Sequence, residues 1–284
     1  MKKDMYSEIT DKIIGSLDKN IIPWNRPFIS QGMPKNLMTK KPYRGINSIF
    51  LSLIGEEYFL TYKQAELLGG HIKRGAHGIP IIFWKFIDVE DKETGDIETV
   101  PMLKYYTVFA ASDAEGVEVP VYQNPLNAFN PIEEAEKIIS NMPNMPEIEF
   151  DHIKACYSKT NDKVYMPSKE LFISEEEYYS TLFHELAHST GSERRLNRKS
   201  LVDFSLFGSD VYSIEELIAE IAGAFLCAAA GIAPKTIENQ ASYIRGWLNA
   251  LKGDAKMIIQ AAGKAQKAAD YILNRIAEPE PEGE

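Results

Sequence analysis

The residues best suited to chemistry lie in the segment TLFHELAHSTG, at positions 181–191. Four residues of an α-helix turn through roughly 400°, so His184 and His188 lie on one face and can share a small cation. Glu185 lies at the edge of that face, where its carboxylate can reach a metal-bound water without binding the metal. Zinc in such a site lowers the pKa of its water toward about 7, and the carboxylate takes the proton. The spacing therefore predicts one zinc ion per chain, with Glu185 as the catalytic base.

A catalytic zinc site also needs a third protein ligand and one open coordination position. The segment EELIAE, at 215–220, has acids spaced as in gluzincin-type metallopeptidases. In those enzymes the first acid binds zinc and the second orients a ligand histidine. This similarity assigns Glu216 to the metal and Glu220 to the orienting role, while Glu215 is expected to point elsewhere. A structural alternative for Glu216 is a capping box with Ser213.

The first third of the chain interleaves basic and aromatic residues. Residues 1–86 hold 13 Lys and Arg against 7 Asp and Glu, although the whole chain has a net charge of -10. Single-stranded nucleic acid favours cations along its phosphates and aromatic rings for its bases, each stack contributing roughly 1–3 kcal/mol. The alternatives are an ordinary solvated basic face and aromatic side chains that belong to the core. The candidate DNA contacts are Trp24, Arg26, Lys35, Lys40, Lys41, Tyr43, Arg44, Lys73, Arg74 and Lys85.

Capping and turn signals predict the elements that position these residues. An amphipathic helix opens the chain, and a capping box of Thr61 with Gln64 begins a short helix. Two strands follow, joined by the polar turn DKETGD. Further on, short strands around KACYS and KVYMP precede a helix that Ser174 and Glu177 open and that carries both metal-binding histidines. Three more helices are expected around 214–230, 237–251 and 255–276.

These elements predict an α+β chain of two domains. Residues 1–125 form an α+β DNA-binding domain, and residues 126–276 form a mainly helical metal-binding domain with a small sheet. The acidic segment 277–284 is expected to be a disordered tail. No apolar run is long enough for a membrane span, and the N-terminus lacks the features of a secretory signal. Cys156 and Cys227 are too few for a disulfide framework and are expected to be buried free thiols in a reducing cytoplasm.

Several segments resemble the ArdC-type antirestriction proteins. WNRPF, GMPKN, PYRGIN, LTYKQAELLGGHIKRG, PIIFWK and YTVF resemble that family's N-terminal single-stranded-DNA-binding domain. YYSTLFHELAHSTG, RLNR, YSIEELIAEIAGAFLC and SYIRGWLNALKGD resemble its zincin-like metallopeptidase domain. The resemblance implies an accessory protein of plasmids or other mobile elements that protects incoming DNA from host restriction endonucleases. It also implies the zinc-site roles given above for His184, Glu185, His188 and Glu216.

Three functions fit these features. The first is a DNA-binding antirestriction protein with a zinc metallopeptidase domain. The second is a binding protein that occludes DNA or an enzyme and whose zinc site is structural or vestigial. The third is a regulatory peptidase that degrades a restriction component or another host protein and uses DNA only for localisation. Glu185 favours an active site, because a structural zinc ion needs no base beside it.

Overall fold

The computed structural model describes residues 5–19, 22, 33–90, 97–120, 131–202, 210–232, 247–248, 251–252, 254 and 256–276. The described residues form two compact units. One unit contains the described residues from 34 to 120, and the other contains those before 34 and after 130. Helix α1 (Met5–Leu17) therefore belongs to the same unit as the second half of the chain. No helix in the described part of the chain combines the length and apolarity that a bilayer crossing needs.

The unit formed by residues 34–120 is an α+β structure around a four-stranded sheet. Its elements are β1 (Lys35–Asn36), α2 (Gly45–Ser52), β2 (Tyr58–Leu60), α3 (Tyr62–Leu67), β3 (His71–Ile72), β4 (Ile79–Glu90), β5 (Ile97–Ala110) and β6 (Ala114–Glu115). The sheet order is β1-β2-β5-β4, and β3 pairs separately with β6. The predicted capping box of Thr61 with Gln64 is present, and β4 and β5 form the predicted antiparallel pair. The turn at 91–96 lies outside the described residues.

Asn47 of α2 connects this helix to the edge strand β4 through two hydrogen bonds. Its Nδ2 donates to the carbonyl oxygen of Ile82 at 2.7 Å, and its Oδ1 accepts from the Ile82 N–H at 3.0 Å. Both bonds are buried, so one side chain satisfies both backbone groups of a strand residue. Asn47→Ala would leave both groups without this partner, and each buried unsatisfied group costs about 1–3 kcal/mol. We therefore expect this substitution to lower the free energy of unfolding, measured with urea, by roughly 2–4 kcal/mol.

Ser52, on the same helix, provides the control for this measurement. Among the described residues, its hydroxyl donates to the carbonyl oxygen of Ile49 within α2, at 2.7 Å, and to no group of β4. Ser52→Ala should therefore change the free energy of unfolding by no more than about 0.5 kcal/mol. An Asn47→Ala protein as stable as Ser52→Ala would show that the Asn47 bonds do not fasten β4.

The second unit is mainly helical, with a small sheet, as the sequence predicts. After α1 its elements are α4 (Pro131–Asn141), β7 (Glu147–Glu149), β8 (Cys156–Ser158), β9 (Lys163–Tyr165), α5 (Glu175–Ser189), α6 (Lys199–Val202), α7 (Asp210–Ala230) and α8 (Met257–Ile272). Helix α7 packs against α5, α8, α4 and α6 and forms the centre of the unit. The sheet order is β7-β9-β8, so β8 is an edge strand beside α5.

The local predictions for this unit have different outcomes. Ser174 caps α5 by accepting from the N–H of Glu177, as predicted, and the Glu177 carboxylate accepts from the Ile173 N–H at 2.7 Å. Cys227 is a buried free thiol as predicted, whereas Cys156 is exposed because it lies on the edge strand β8. Of the helix expected at 237–251, only 247–248 and 251 are described, and the tail at 277–284 lies outside the described residues.

Candidate metal centre

Two packed helices bring the predicted ligands together. His184 and His188 lie one turn apart on α5, and Glu216 lies on α7, which packs against it. Gly223, about two turns after Glu216, faces the backbone of His184, and a Cβ atom at this glycine would lie in ordinary van der Waals contact with the His184 Cα atom, at 3.6 Å. The packing of α5 against α7 thus places three donors in one buried cluster.

The distances within this cluster fit a small tetrahedral cation. The Nε2 atoms of His184 and His188 are 3.1 Å apart. The Glu216 carboxylate lies 3.5 Å from each of them, through Oε2 to His184 and Oε1 to His188. Ligand atoms about 2.0–2.1 Å from a tetrahedral zinc ion stand roughly 3.3 Å from one another. The two imidazoles and the carboxylate therefore have the chemistry and spacing of a three-ligand metal site.

Burial and charge pairing act against each other at these groups. Burial alone would raise the pKa of the Glu216 carboxyl, but the two facing imidazoles hold it well below its usual range. Burial alone would lower the pKa of His188, but the carboxylates of Glu215 and Glu216 outweigh this effect and raise it to about 10. Without a cation the cluster is therefore stabilised by protonated imidazole beside carboxylate. A metal ion that binds here must displace a proton.

Glu185, the predicted base, is fixed in orientation by the small sheet. Its residue is buried, with 8% of its surface exposed, and its Oε2 accepts a 2.7 Å hydrogen bond from the N–H of Tyr157. Tyr157 lies on the edge strand β8. This bond engages one carboxylate oxygen and limits rotation of the whole carboxylate group. The sequence pattern contains no indication of this contact, because Tyr157 lies 28 residues before Glu185.

The two remaining acids of α7 differ from their predicted placement. We expected Glu220 to orient a ligand histidine and Glu215 to point elsewhere. In the structure, Oε1 of Glu215 lies 3.5 Å from Nδ1 of His188 and also accepts from Arg198. Within the described part of the chain, Nδ1 of His184 has no hydrogen-bond partner, so Glu220 does not orient it. Along α7, Glu215 therefore lies beside His188, and the next residue, Glu216, lies beside both histidines.

The candidate DNA contacts fall into three groups. Trp24 and Arg26 lie outside the described residues, and Lys85 is described only as part of strand β4. Arg44 is half-buried. Of the candidates on the unit of residues 34–120, those with exposed side chains are Lys40, Lys41, Lys73 and Arg74.

Two of the candidates are placed where a direct DNA contact is unfavourable. Tyr43 is buried, its hydroxyl accepts from Asn36 Nδ2 at 3.3 Å, and its ring packs edge-on against Phe59. It is a core residue, so its ring cannot stack on a base. Lys35 is half-buried and forms a 2.7 Å ion pair with Glu57, which compensates its charge. Aromatic and basic composition could not separate these residues from exposed ones.

Comparison with known proteins gives both units a family. Residues 3–109 match the family model described as the N-terminal domain of anti-restriction factor ArdC. Residues 133–264 match the model of a zincin-like metallopeptidase. Two Escherichia coli proteins named DNA primase TraC are 32% and 31% identical over 96% of this chain. This chain spans only 27% and 20% of their lengths.

Other relatives match over nearly their whole length. An uncharacterized protein, y4eC, of Sinorhizobium fredii is 31% identical over 95% of this chain and 91% of its own. The metal-free crystal structure of the antirestriction protein ArdC from the R388 plasmid is 34% identical, with a TM-score of 0.76 over 95% of this chain and 97% of that one. The chain belongs to the ArdC antirestriction family. A second crystal structure of that ArdC protein, with a TM-score of 0.77, contains Mn(II). The zincin-like family and this manganese-bound relative indicate that a metal ion belongs to the fold.

Proposed function

We propose that this ArdC-family chain protects the DNA of a mobile element in the host cytoplasm by binding it as a single strand, and that it carries a zinc peptidase centre. The DNA-binding part is proposed to be residues 1–125 and the peptidase part residues 126–276. The observation that carries the peptidase proposal is the buried triangle of His184, His188 and Glu216. The two Nε2 atoms lie 3.1 Å apart, and each lies 3.5 Å from one of the two Glu216 carboxylate oxygens, which supports a shared cation with three protein ligands.

Each residue of this centre has a distinct chemical task. His184, His188 and Glu216 would hold the ion, and a bound zinc ion would lower the pKa of a water and polarise a peptide carbonyl. Glu185 takes the proton of the attacking water and passes it to the leaving amine. The Tyr157 N–H supports this role, because it fixes the carboxylate while leaving the second oxygen for proton transfer. Peptide hydrolysis is the reaction that this set of groups serves best.

The proposal for DNA rests on the family match and on exposed positive charge. Lys73 and Arg74 lie directly after strand β3 and are both exposed. The Lys73 ammonium donates to the carbonyl oxygen of Ser112 at 2.8 Å, a neutral partner that leaves its charge uncompensated. Gly75 follows with a φ of 89°, a left-handed conformation that turns the chain. These two adjacent cations at a turn are the strongest described candidates for phosphate contacts.

Removing these two charges should weaken DNA binding and reduce its dependence on salt. Each phosphate neutralised on a single strand contributes about -0.7 to the slope of log affinity against log salt. The double substitution Lys73→Ala and Arg74→Ala should therefore make that slope shallower by roughly 1.4. Fluorescence anisotropy with a labelled single-stranded oligonucleotide at several salt concentrations measures the change. The full chain is the right protein for it, because α1 belongs to the unit that contains the metal centre.

Lys35→Ala is the matched control for this experiment. It also removes a lysine from the same unit, but one whose charge Glu57 already compensates at 2.7 Å. We expect its salt slope to stay within about 0.3 of that of the parent. A double variant with the parent's slope would exclude Lys73 and Arg74 as phosphate contacts. Failure of the parent to bind single strands at low salt would exclude the proposed DNA-binding function.

A further inference from the structure

A buried arginine links the predicted metal ligand His188 to an acid that the sequence did not assign. The guanidinium of Arg198 binds both carboxylate oxygens of Glu215, through Nη2 to Oε1 and through Nε to Oε2 at 3.2 Å. Oε1 of Glu215 also lies 3.5 Å from Nδ1 of His188. The side chains of Arg198 and Glu215 are each only 5% exposed. The three groups form a continuous polar chain in the interior.

The same guanidinium also fixes the helix that carries His188. Nη2 of Arg198 donates to the carbonyl oxygens of Ala187 and His188, at 2.9 and 3.4 Å, and Nη1 donates to the Thr190 hydroxyl. Carbonyl groups in the last turn of a helix lack partners within the helix, so a cation there is favourable. Arg198 therefore contacts the backbone of His188 directly and its imidazole through Glu215. This double contact distinguishes it from an ordinary helix cap.

Gly191 provides the space that this arrangement requires. A Cβ atom at position 191 would lie 2.9 Å from Nη2 and 3.0 Å from Cζ of Arg198, which is closer than side chains normally approach. The glycine that ends the histidine segment and the last arginine of the RLNR segment thus form one structural feature. Neither residue had a role beyond helix termination and family resemblance in the sequence.

We propose that Glu215 and Arg198 are positioning residues that present Nε2 of His188 to the metal. A neutral imidazole carries one proton, and the nitrogen that does not carry it is the one that can bind a cation. Oε1 of Glu215 faces Nδ1 at 3.5 Å and so favours a proton on Nδ1, which leaves Nε2 facing His184 and Glu216. Arg198 holds the carboxylate in place through two bonds. Partners of this kind fix the orientation of a ligand histidine, and their loss weakens metal affinity by about 10–100-fold.

This inference rests on the proposed metal site. The zinc affinities of different variants test the metal site and the positioning role separately. We expect Glu215→Gln and Arg198→Lys to bind zinc about 10–100-fold more weakly than the parent in competition with a chelating dye. Arg195→Met is the matched control. Arg195 is also a buried arginine that caps α5, donating to the Ser189 carbonyl at 3.2 Å, but its carboxylate partner is Asp162 rather than Glu215. Its variant should lose stability while keeping the zinc affinity of the parent within about threefold.

Nitrogen-15 NMR of the histidine side chains gives a second measurement on the unaltered protein. With zinc bound, we expect the proton of His188 on Nδ1 and the metal on Nε2, and we expect the Nδ1–H signal to exchange faster in Glu215→Gln. A proton on Nε2 in the parent would overturn the inference even if a variant failed to fold. Unchanged zinc affinity in Glu215→Gln, with zinc lost in His188→Ala, would overturn the positioning role and leave the metal site intact. Full zinc affinity in His188→Ala would overturn the metal site itself.

Discussion

The substitution His188→Ala should yield a folded protein that has lost its metal. Apparent free energies of zinc binding to four-ligand structural sites are about 10–16 kcal/mol, so one ligand contributes on the order of 3 kcal/mol. That is more than about a hundredfold in affinity. His188 also faces two carboxylates, because both Glu215 and Glu216 lie 3.5 Å from its ring. Metal analysis of the purified parent should find about one zinc ion per chain, and the variant should contain almost none.

Two comparisons make this measurement specific. His152 belongs to the same unit but pairs with Glu149 at 3.0 Å and is not part of the ligand cluster, so His152→Ala should keep its zinc. Glu216→Gln should weaken binding more than Glu215→Gln, because the first removes a ligand and the second only a positioning contact. Full zinc retention in His188→Ala would show that the ligand assignment is wrong. The reverse order for the two glutamates would show that Glu215, and not Glu216, is the metal ligand.

The two histidine ligands could be predicted because their positions depend on a local pattern that the fold preserves. The four-residue spacing of His184 and His188 needs only a helix, and the Ser174 cap and the apolar face of α5 specify one. Glu216 could be assigned only through family resemblance, because helical spacing leaves all the acids of α7 as candidates. The choice between Glu215 and Glu220 as the orienting acid depends on how α7 passes α5. That geometry comes from the packing of two helices that are distant in the sequence, and it has no local signal.

The elements of the fold likewise differ in whether local sequence signals were enough to predict them. The hairpin of β4 and β5 and the helix capped by Thr61 follow from alternation and capping, and both are confirmed. Strands β1, β2, β3, β6 and β7, each of two or three residues, were not predicted, although the equally short β8 and β9 were. The placement of α1 with the second half of the chain was also not visible. Its apolar face specifies burial and carries no information on which unit it packs against.

The substitution Glu185→Gln should separate peptide hydrolysis from DNA protection. The glutamine keeps the size of the side chain, and its amide oxygen can still accept from the Tyr157 N–H. Both histidine ligands remain, so we expect zinc content and fold to match the parent. The variant lacks the group that takes the proton of the attacking water, a contribution typically worth about 10²–10⁴ in rate. Metal analysis and single-strand binding should therefore be unchanged, while any hydrolysis that depends on the centre is lost.

A restriction assay on this purified variant then decides how protection works. Shielding needs only that the chain occupies the DNA, and the cations proposed to contact phosphate lie in a different unit from the metal centre. We therefore expect Glu185→Gln to protect DNA from a restriction endonuclease as well as the parent does. The double variant at Lys73 and Arg74 is the complementary control, because it should lose protection while keeping its zinc. If protection instead disappears in Glu185→Gln while DNA binding and zinc persist, the chain acts by proteolysis of a restriction component. The same variant would then retain that component uncleaved, which makes it the protein with which to capture the substrate.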